Sequence, residues 1–117
     1  EIIKDMDATV EVLHYEEVAY TGLKYGMEKY YPTWKIPAEH TAVTTGVEAY
    51  KQLFQKDPVV DKWTFSTNGV TINGYYGIPI IGFGPGNEVF AHAPNEKVPI
   101  DHLETEAAFY AAYAFLI

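Results

Sequence analysis

Apolar and polar positions change their period several times along this chain. From Ala8 to Tyr15 they alternate, with Ala8, Val10, Val12 and His14 on one face and Thr9, Glu11, Leu13 and Tyr15 on the other. A period of two predicts a strand. Its backbone groups need partners, and nothing in the next twenty residues reads as one. Glu16 to Pro37 is rich in Tyr, Gly and Pro, and Gly22, Gly26, Pro32 and Pro37 interrupt any long period. It reads as a connection, of the kind that passes between two bodies of a protein. From about Pro37 the period becomes helical. Val43, Gly46, Val47, Tyr50, Leu53 and Phe54 form one stripe, with Glu48, Lys51 and Gln52 off it. Pro37 fits the first turn, where its missing N–H costs nothing, and Asp57-Pro58 closes the helix.

Beyond that helix, Val59, Val60 and Trp63 predict a short buried strand. Ser66 to Gly77 is a polar, glycine-marked turn that opens a short helix. Ile78 to Phe83 is an apolar run with β-branched residues, which predicts a central strand of a parallel-type sheet. Gly84-Pro85-Gly86-Asn87 is a turn. Asp101 to Phe115 is a second helix, and Asp101 and Glu104 have the spacing of a capping box. Ala107 to Tyr113 with Phe115 leave this helix almost no polar face. It should therefore be buried on more than one side, unless it has one generous core face and a few exposed alanines. The alternation after Pro37 predicts an α/β fold. The lone first strand fits such a unit poorly.

Length and composition narrow the functional classes. At 117 residues the chain suffices for one compact domain. A net charge of −8 with no arginine excludes a nucleic-acid partner, which would require clustered basic residues. With no cysteine, disulfides, thiolate metal sites and cysteine nucleophiles are absent together. No apolar stretch approaches the ~20 residues that span a bilayer, so no membrane is expected. Glu1 to Asp7 lacks the basic and apolar regions of a signal peptide. A cytoplasmic chain is expected, and the missing initiator Met points to one cut from something longer.

Candidate chemistry concentrates late in the chain. Gly77-Ile78-Pro79-Ile80-Ile81-Gly82-Phe83 leads into the Gly84-Pro85-Gly86 turn, and His92-Ala93-Pro94-Asn95-Glu96 follows. In open α/β sheets the C-terminal edge of the strands is where ligands bind. Neutral imidazole is a good zinc ligand, and a nearby carboxylate can orient one. A histidine in a proline-containing loop is, by itself, more often a surface or hydrogen-bonding residue. The glycine-rich turn does not bind phosphate by the usual device, because no Gly-Lys-Ser/Thr follows it.

These segments together resemble the closing part of the zinc aminoacylase and carboxypeptidase superfamily, which includes carboxypeptidase G, acetylornithine deacetylase and succinyl-diaminopimelate desuccinylase. The shared pattern is Ser66-Thr67-Asn68-Gly69, Gly77-Ile78-Pro79, Gly84-Pro85-Gly86, then His92 followed by Glu96. Asp61 to Gly69 and Ala91 to Lys97 are most similar to a subgroup of selenium-metabolism hydrolases. A weaker likeness reaches Thr21-Gly22-Leu23 and Pro32 to Lys35, so the resemblance covers nearly the whole chain.

What the resemblance implies is specific. The family has an α/β catalytic domain interrupted by a lid domain. Residues 1–18 would then hold the last lid strand, 19–36 the crossing, and 37–117 the C-terminal part of a zinc-exopeptidase-like catalytic domain with a mixed sheet. The implied chemistry is hydrolysis of an amide or peptide bond with two zinc ions. His92 matches a metal ligand. Glu96 is expected to orient a ligand rather than bind metal. Ser66, Thr67, Asn68 and Gly69 match a turn that contacts substrate, and a plain turn ahead of a helix is as good a reading of each one singly.

The family's other metal ligands and its general-base glutamate match nothing in this chain. His14, His40 and His102 read as structural. One histidine cannot hold a catalytic zinc, which needs about three protein ligands, so the chain alone is expected to be inactive. Its expected partners are a small amide or peptide substrate and the missing N-terminal part of the same protein, with a homodimer left open. The alternative is a non-catalytic α/β interaction module with a Tyr-rich binding surface.

Overall fold

The computed structural model describes residues 3–117 and divides into two compact units, one ending at Pro32 and one beginning at Thr33. Glu1 and Ile2, which head the expected lid segment, lie outside the described residues.

The first unit is built on a hairpin. β1 (His14–Val18) pairs antiparallel with β2 (Lys24–Glu28), His14 opposite Glu28, Glu16 opposite Gly26 and Val18 opposite Lys24. Two expectations are corrected here. The strand begins at His14 rather than Ala8, and it has a partner within the segment read as a connection. The turn explains why. Gly22 donates its N–H to the Ala19 carbonyl (2.8 Å), and Ala19 donates to Leu23 (2.9 Å). Gly22 sits at φ 81°, where glycine alone avoids strain. Gly26 hides the strand signal by breaking the alternation. It admits the His14 ring, since a Cβ there would lie 3.0 Å from His14 Cε1. Every strand residue is exposed. The Lys24–Glu16 ion pair at 3.4 Å is equally exposed and contributes little.

The second unit is organised by α1 (Thr41–Phe54) and α2 (Ile100–Leu116). His40 caps α1, its Nδ1 accepting from the Ala42 N–H at 3.1 Å. Pro37 therefore lies ahead of the helix rather than in its first turn, and its carbonyl accepts from the His40 N–H (3.0 Å) in a preceding turn. At the other end Gln55 is left-handed (φ 53°) and donates to the Lys51 carbonyl. Lys51 then pairs with Asp57 at 2.7 Å, and that hydrogen bond holds its pKa above the ordinary lysine value.

The expected capping box on α2 does not form. Pro99 (φ −62°) occupies the cap position without a side-chain bond, and the helix starts at Ile100. Proline's fixed φ suits helix entry, which moves Asp101 inside the first turn. There its charge meets the positive end of the helix dipole. The Asp101 carbonyl accepts instead from Thr105 Oγ1 (2.9 Å).

Between the helices, Phe109 stacks on Phe83 with centroids 4.0 Å apart, and Tyr113 stacks on Phe109 at 6.1 Å. Gly46 faces this group. A Cβ there would lie 2.8 Å from Ile81 Cδ1 and 3.7 Å from both rings, so the helix backbone itself is part of the packing surface. Two phenols complete the ties: Tyr113 donates to the Ala42 carbonyl (3.1 Å) and Tyr110 to that of Phe83 (2.6 Å). Burial raises the Tyr113 pKa, which keeps the donating form.

The expected strands of this unit are not formed. Ile78–Phe83 pairs with no strand among the described residues, and Val59, expected to be buried, is 90% exposed. Both segments have strand sequences, but a strand needs a neighbour to complete its ladder. Phe83 is held by rings instead, and Ile81 lies against the bare backbone of Gly46. The result is a small mixed α/β structure with a two-stranded sheet and helices. α2 is nearly bare on its remaining faces. Only Phe109 along it is buried, while Phe115 is 89% exposed. Among the described residues no helix is long and apolar enough to cross a membrane.

Phe109 is 3% exposed and central to the stack. Phe109→Ala should therefore lower stability by about 3 kcal/mol. The check is a urea titration, and an unchanged midpoint would show that the two helices are held by something else.

Candidate functional site

The Ser66–Gly69 turn is shaped by its own hydroxyl and carbonyls. Thr67 Oγ1 accepts from the Gly69 N–H (3.1 Å). The Asn68 carbonyl accepts from both Thr71 and Ile72 (3.0 Å each). These bonds launch a π-helical segment, Val70–Tyr75, which supplies the short helix expected after this turn. Such helices are rare and are found frequently at functional sites. Gly77, at φ 66°, ends it, and Asn73 Nδ2 donates to the Ile78 carbonyl (3.0 Å).

Gly69 is buried, and the reason is steric. A Cβ at this position would come within 2.4 Å of the Trp34 indole, so the ring lies directly on the glycine backbone. Gly82 makes the same arrangement with Trp63, at 2.5 Å. Trp63 stacks on Phe65 (5.5 Å, 21°), and Phe65 meets the His92 ring edge-on (5.9 Å, 82°). The structure thus joins the residue just before Ser66 to His92. That link runs through Phe65, not through the polar side chains of the turn.

His92 lies just past a 3-10 turn, Glu88–Phe90, capped by Asn87 Oδ1 accepting from Val89 (3.0 Å). The loop His92–Glu96 contains two left-handed residues, His92 at φ 58° and Asn95 at φ 64°. Asparagine and histidine both visit that region more often than most residues, but each still carries a cost of roughly 1–3 kcal/mol that the surroundings must offset. Glu96 supplies a hold, its Oε2 accepting from the His92 main-chain N–H at 3.3 Å. The carboxylate meets the backbone of His92 rather than its ring.

Among the other histidines, His40 caps α1 and His102 Nδ1 accepts from the Gly86 N–H (3.1 Å), fixing the Gly84–Gly86 turn to the start of α2. Gly86 is at φ 93°, a position that favours glycine. A hollow of about 350 Å³ lies between that turn, Tyr50 and Phe54 on α1, and His102 on α2. It includes neither His92 nor the Ser66–Gly69 turn. Among the described residues no group of three His, Asp or Glu side chains could hold a metal ion. A zinc site needs about three protein ligands, so these residues do not make one by themselves.

Sequence reading missed Trp34, Trp63 and Phe65 as members of this region. The available signal was an aromatic residue on alternate positions, 63 and 65, immediately before the Ser-Thr-Asn-Gly turn.

The whole of this region falls within a match to peptidase family M20/M25/M40, which spans residues 5–115. The chain belongs to that family, which is one of peptidases and related hydrolases. It is 56% identical over 110 residues to a protein of Escherichia coli (strain K12) and, equally, to one of Escherichia coli O157:H7, each named "Uncharacterized protein YgeY". The alignment covers 94% of this chain and 27% of each relative, so the chain spans about a quarter of their length. No solved structure matches it significantly.

Two outcomes follow from this geometry. Gly69→Ala should displace the Trp34 indole, shifting its fluorescence to the red in a Trp63→Phe background; an unshifted spectrum would mean the contact is not made. A calorimetric zinc titration of the chain alone should show weak or no binding, unaffected by His92→Ala. Tight stoichiometric binding lost in His92→Ala would mean the chain builds its own site.

Proposed function

We propose that this chain is the C-terminal part of a metal-dependent hydrolase that cleaves the amide or peptide bond of small N-acyl amino acids or peptides. The observation that carries the reading is the family match over residues 5–115. Support comes from His92, which matches the family's C-terminal metal ligand and sits in a strained loop tied to Glu96. In this reading residues 1–18 belong to a lid, 19–36 return through β2 and then cross between bodies, and 37–117 complete the catalytic domain. The likeness of Asp61–Gly69 and Ala91–Lys97 to the selenium-metabolism hydrolases makes that subgroup the proposed neighbourhood.

His92 would give one ligand to a site whose remaining donors lie outside this chain. Zinc held there by His92 and those donors would supply Lewis-acid chemistry toward the scissile carbonyl and a more acidic water. This chain's own contributions are binding and orientation. Ser66 and Asn68 would present polar groups to substrate from a turn whose shape Thr67 and Gly69 fix. The N-terminal part of the same protein is the proposed partner, a homodimer is a further one, and the cytoplasm is the proposed location. The interaction-module alternative finds no support in the family match or the relatives.

The test is hydrolysis of a panel of N-acyl amino acids and dipeptides by the intact protein. Activity should appear with zinc and fall by several orders of magnitude in His92→Ala. Turnover at the parent level in that variant would sink the role given to His92.

A further inference from the structure

Asparagine is chemically labile where glycine follows it, because no Cβ hinders the next main-chain nitrogen from reaching the carboxamide carbon. The chain has two such pairs, Asn68-Gly69 and Asn73-Gly74. The fold treats them differently. Asn73 is half-buried inside the π-helical segment. Its Nδ2 donates to the Ile78 carbonyl (3.0 Å), and its own carbonyl accepts from the Gly77 N–H (2.8 Å). That carboxamide cannot turn toward Gly74 without giving up its bond and disturbing the helix around it. Asn68 is exposed and stands ahead of the same segment, and no hydrogen bond among the described residues holds its side chain. Its main-chain carbonyl accepts from Thr71 and Ile72 (3.0 Å each) at the start of the helix. Bonds at a helix end open locally at small cost, whereas those in the interior open with their neighbours.

We propose that Asn68 is a site of spontaneous modification, cyclising onto Gly69 and then opening to aspartate and isoaspartate, while the fold protects Asn73. In the first step the Gly69 nitrogen bonds to Asn68 Cγ and the carboxamide C–N bond breaks. Ammonia leaves with the proton that Gly69 gives up, and a succinimide remains. Water then adds to either ring carbonyl and breaks its C–N bond. The sum is a water consumed and an ammonia released, with no oxidant or reductant. Thr67 acts as a brake, because its Oγ1 accepts from the N–H of the attacking nitrogen (3.1 Å) and holds Gly69 in the turn. Opening at the main-chain carbonyl gives isoaspartate, which lengthens the backbone between Thr67 and Gly69 by a methylene. Gly69 then loses its place beneath the Trp34 indole. Either product adds a carboxylate to a chain that already carries a net charge of −8.

The test is incubation of the intact protein in mildly alkaline buffer, followed by peptide mapping that reads the amide-to-acid mass change at each asparagine. In the folded protein Asn68 should convert several-fold faster than Asn73, with isoaspartate among the products. In urea the two should convert at similar rates. Thr67→Val keeps the branched shape without the acceptor, so it should accelerate Asn68 in the folded protein and leave its rate in urea unchanged. Asn68→Gln, whose larger ring closes more slowly, should remove the change at position 68. The proposal is overturned if Asn73 converts as fast as Asn68 in the folded protein, or if Asn68 converts only once urea has unfolded the chain. A folded Thr67→Val variant that converts at the parent rate overturns the braking role.

Discussion

Phe109 lies between Phe83 and Tyr113, and Gly46 of α1 faces the same group closely enough that a side chain there would collide with Ile81. Three otherwise separate pieces meet at this point: the first helix, the last helix, and the extended run between them. Aromatic stacking supplies contact area without demanding a ladder of hydrogen bonds. It can therefore hold Phe83 in place while its backbone remains outside any sheet. Tyr110 and Tyr113 add hydrogen bonds to carbonyls at the margins of the stack. The Gly84–Gly86 turn and its bond to His102 depend on this arrangement, because both leave directly from Phe83.

The same device recurs wherever this unit must bring a ring close to the backbone. Trp34 lies on Gly69 and Trp63 on Gly82, each closer than any Cβ would allow. Gly69, read from the sequence as part of a turn, and Gly82, read as part of a strand, both act here as flat seats for indoles. The distinction matters for the site. Gly69 stands in the Ser-Thr-Asn-Gly turn that the family pattern highlights, yet its immediate neighbour is Trp34.

Helices were legible from the sequence because their period is set locally. The stripe through Gly46 and Tyr50 and the apolar run around Phe109 mark α1 and α2 to within a few residues. The helix starts were not, since capping is decided by which neighbour reaches the free N–H groups first. His40 did so at α1, and Pro99 set the entry to α2. Strands were read poorly for a different reason. Ala8–Leu13, Val59–Trp63 and Ile78–Phe83 carry the right residues, but pairing is a property of two segments. β2 was missed because Gly26 broke its alternation, and that glycine is required by the His14 ring across the hairpin. At the site, His92 and Glu96 are in contact. Which atoms meet, carboxylate to main-chain N–H, depends on the left-handed loop, and no spacing rule encodes that.

The backbone of His92 carries a consequence for how this position tolerates change. At φ 58° the conformation itself favours glycine over any residue that carries a Cβ. Folding and side-chain identity thus pull in opposite directions at one residue. A library screened only for folded protein would therefore enrich glycine at position 92, so the most heat-resistant form of this loop is expected to be one that has lost the imidazole.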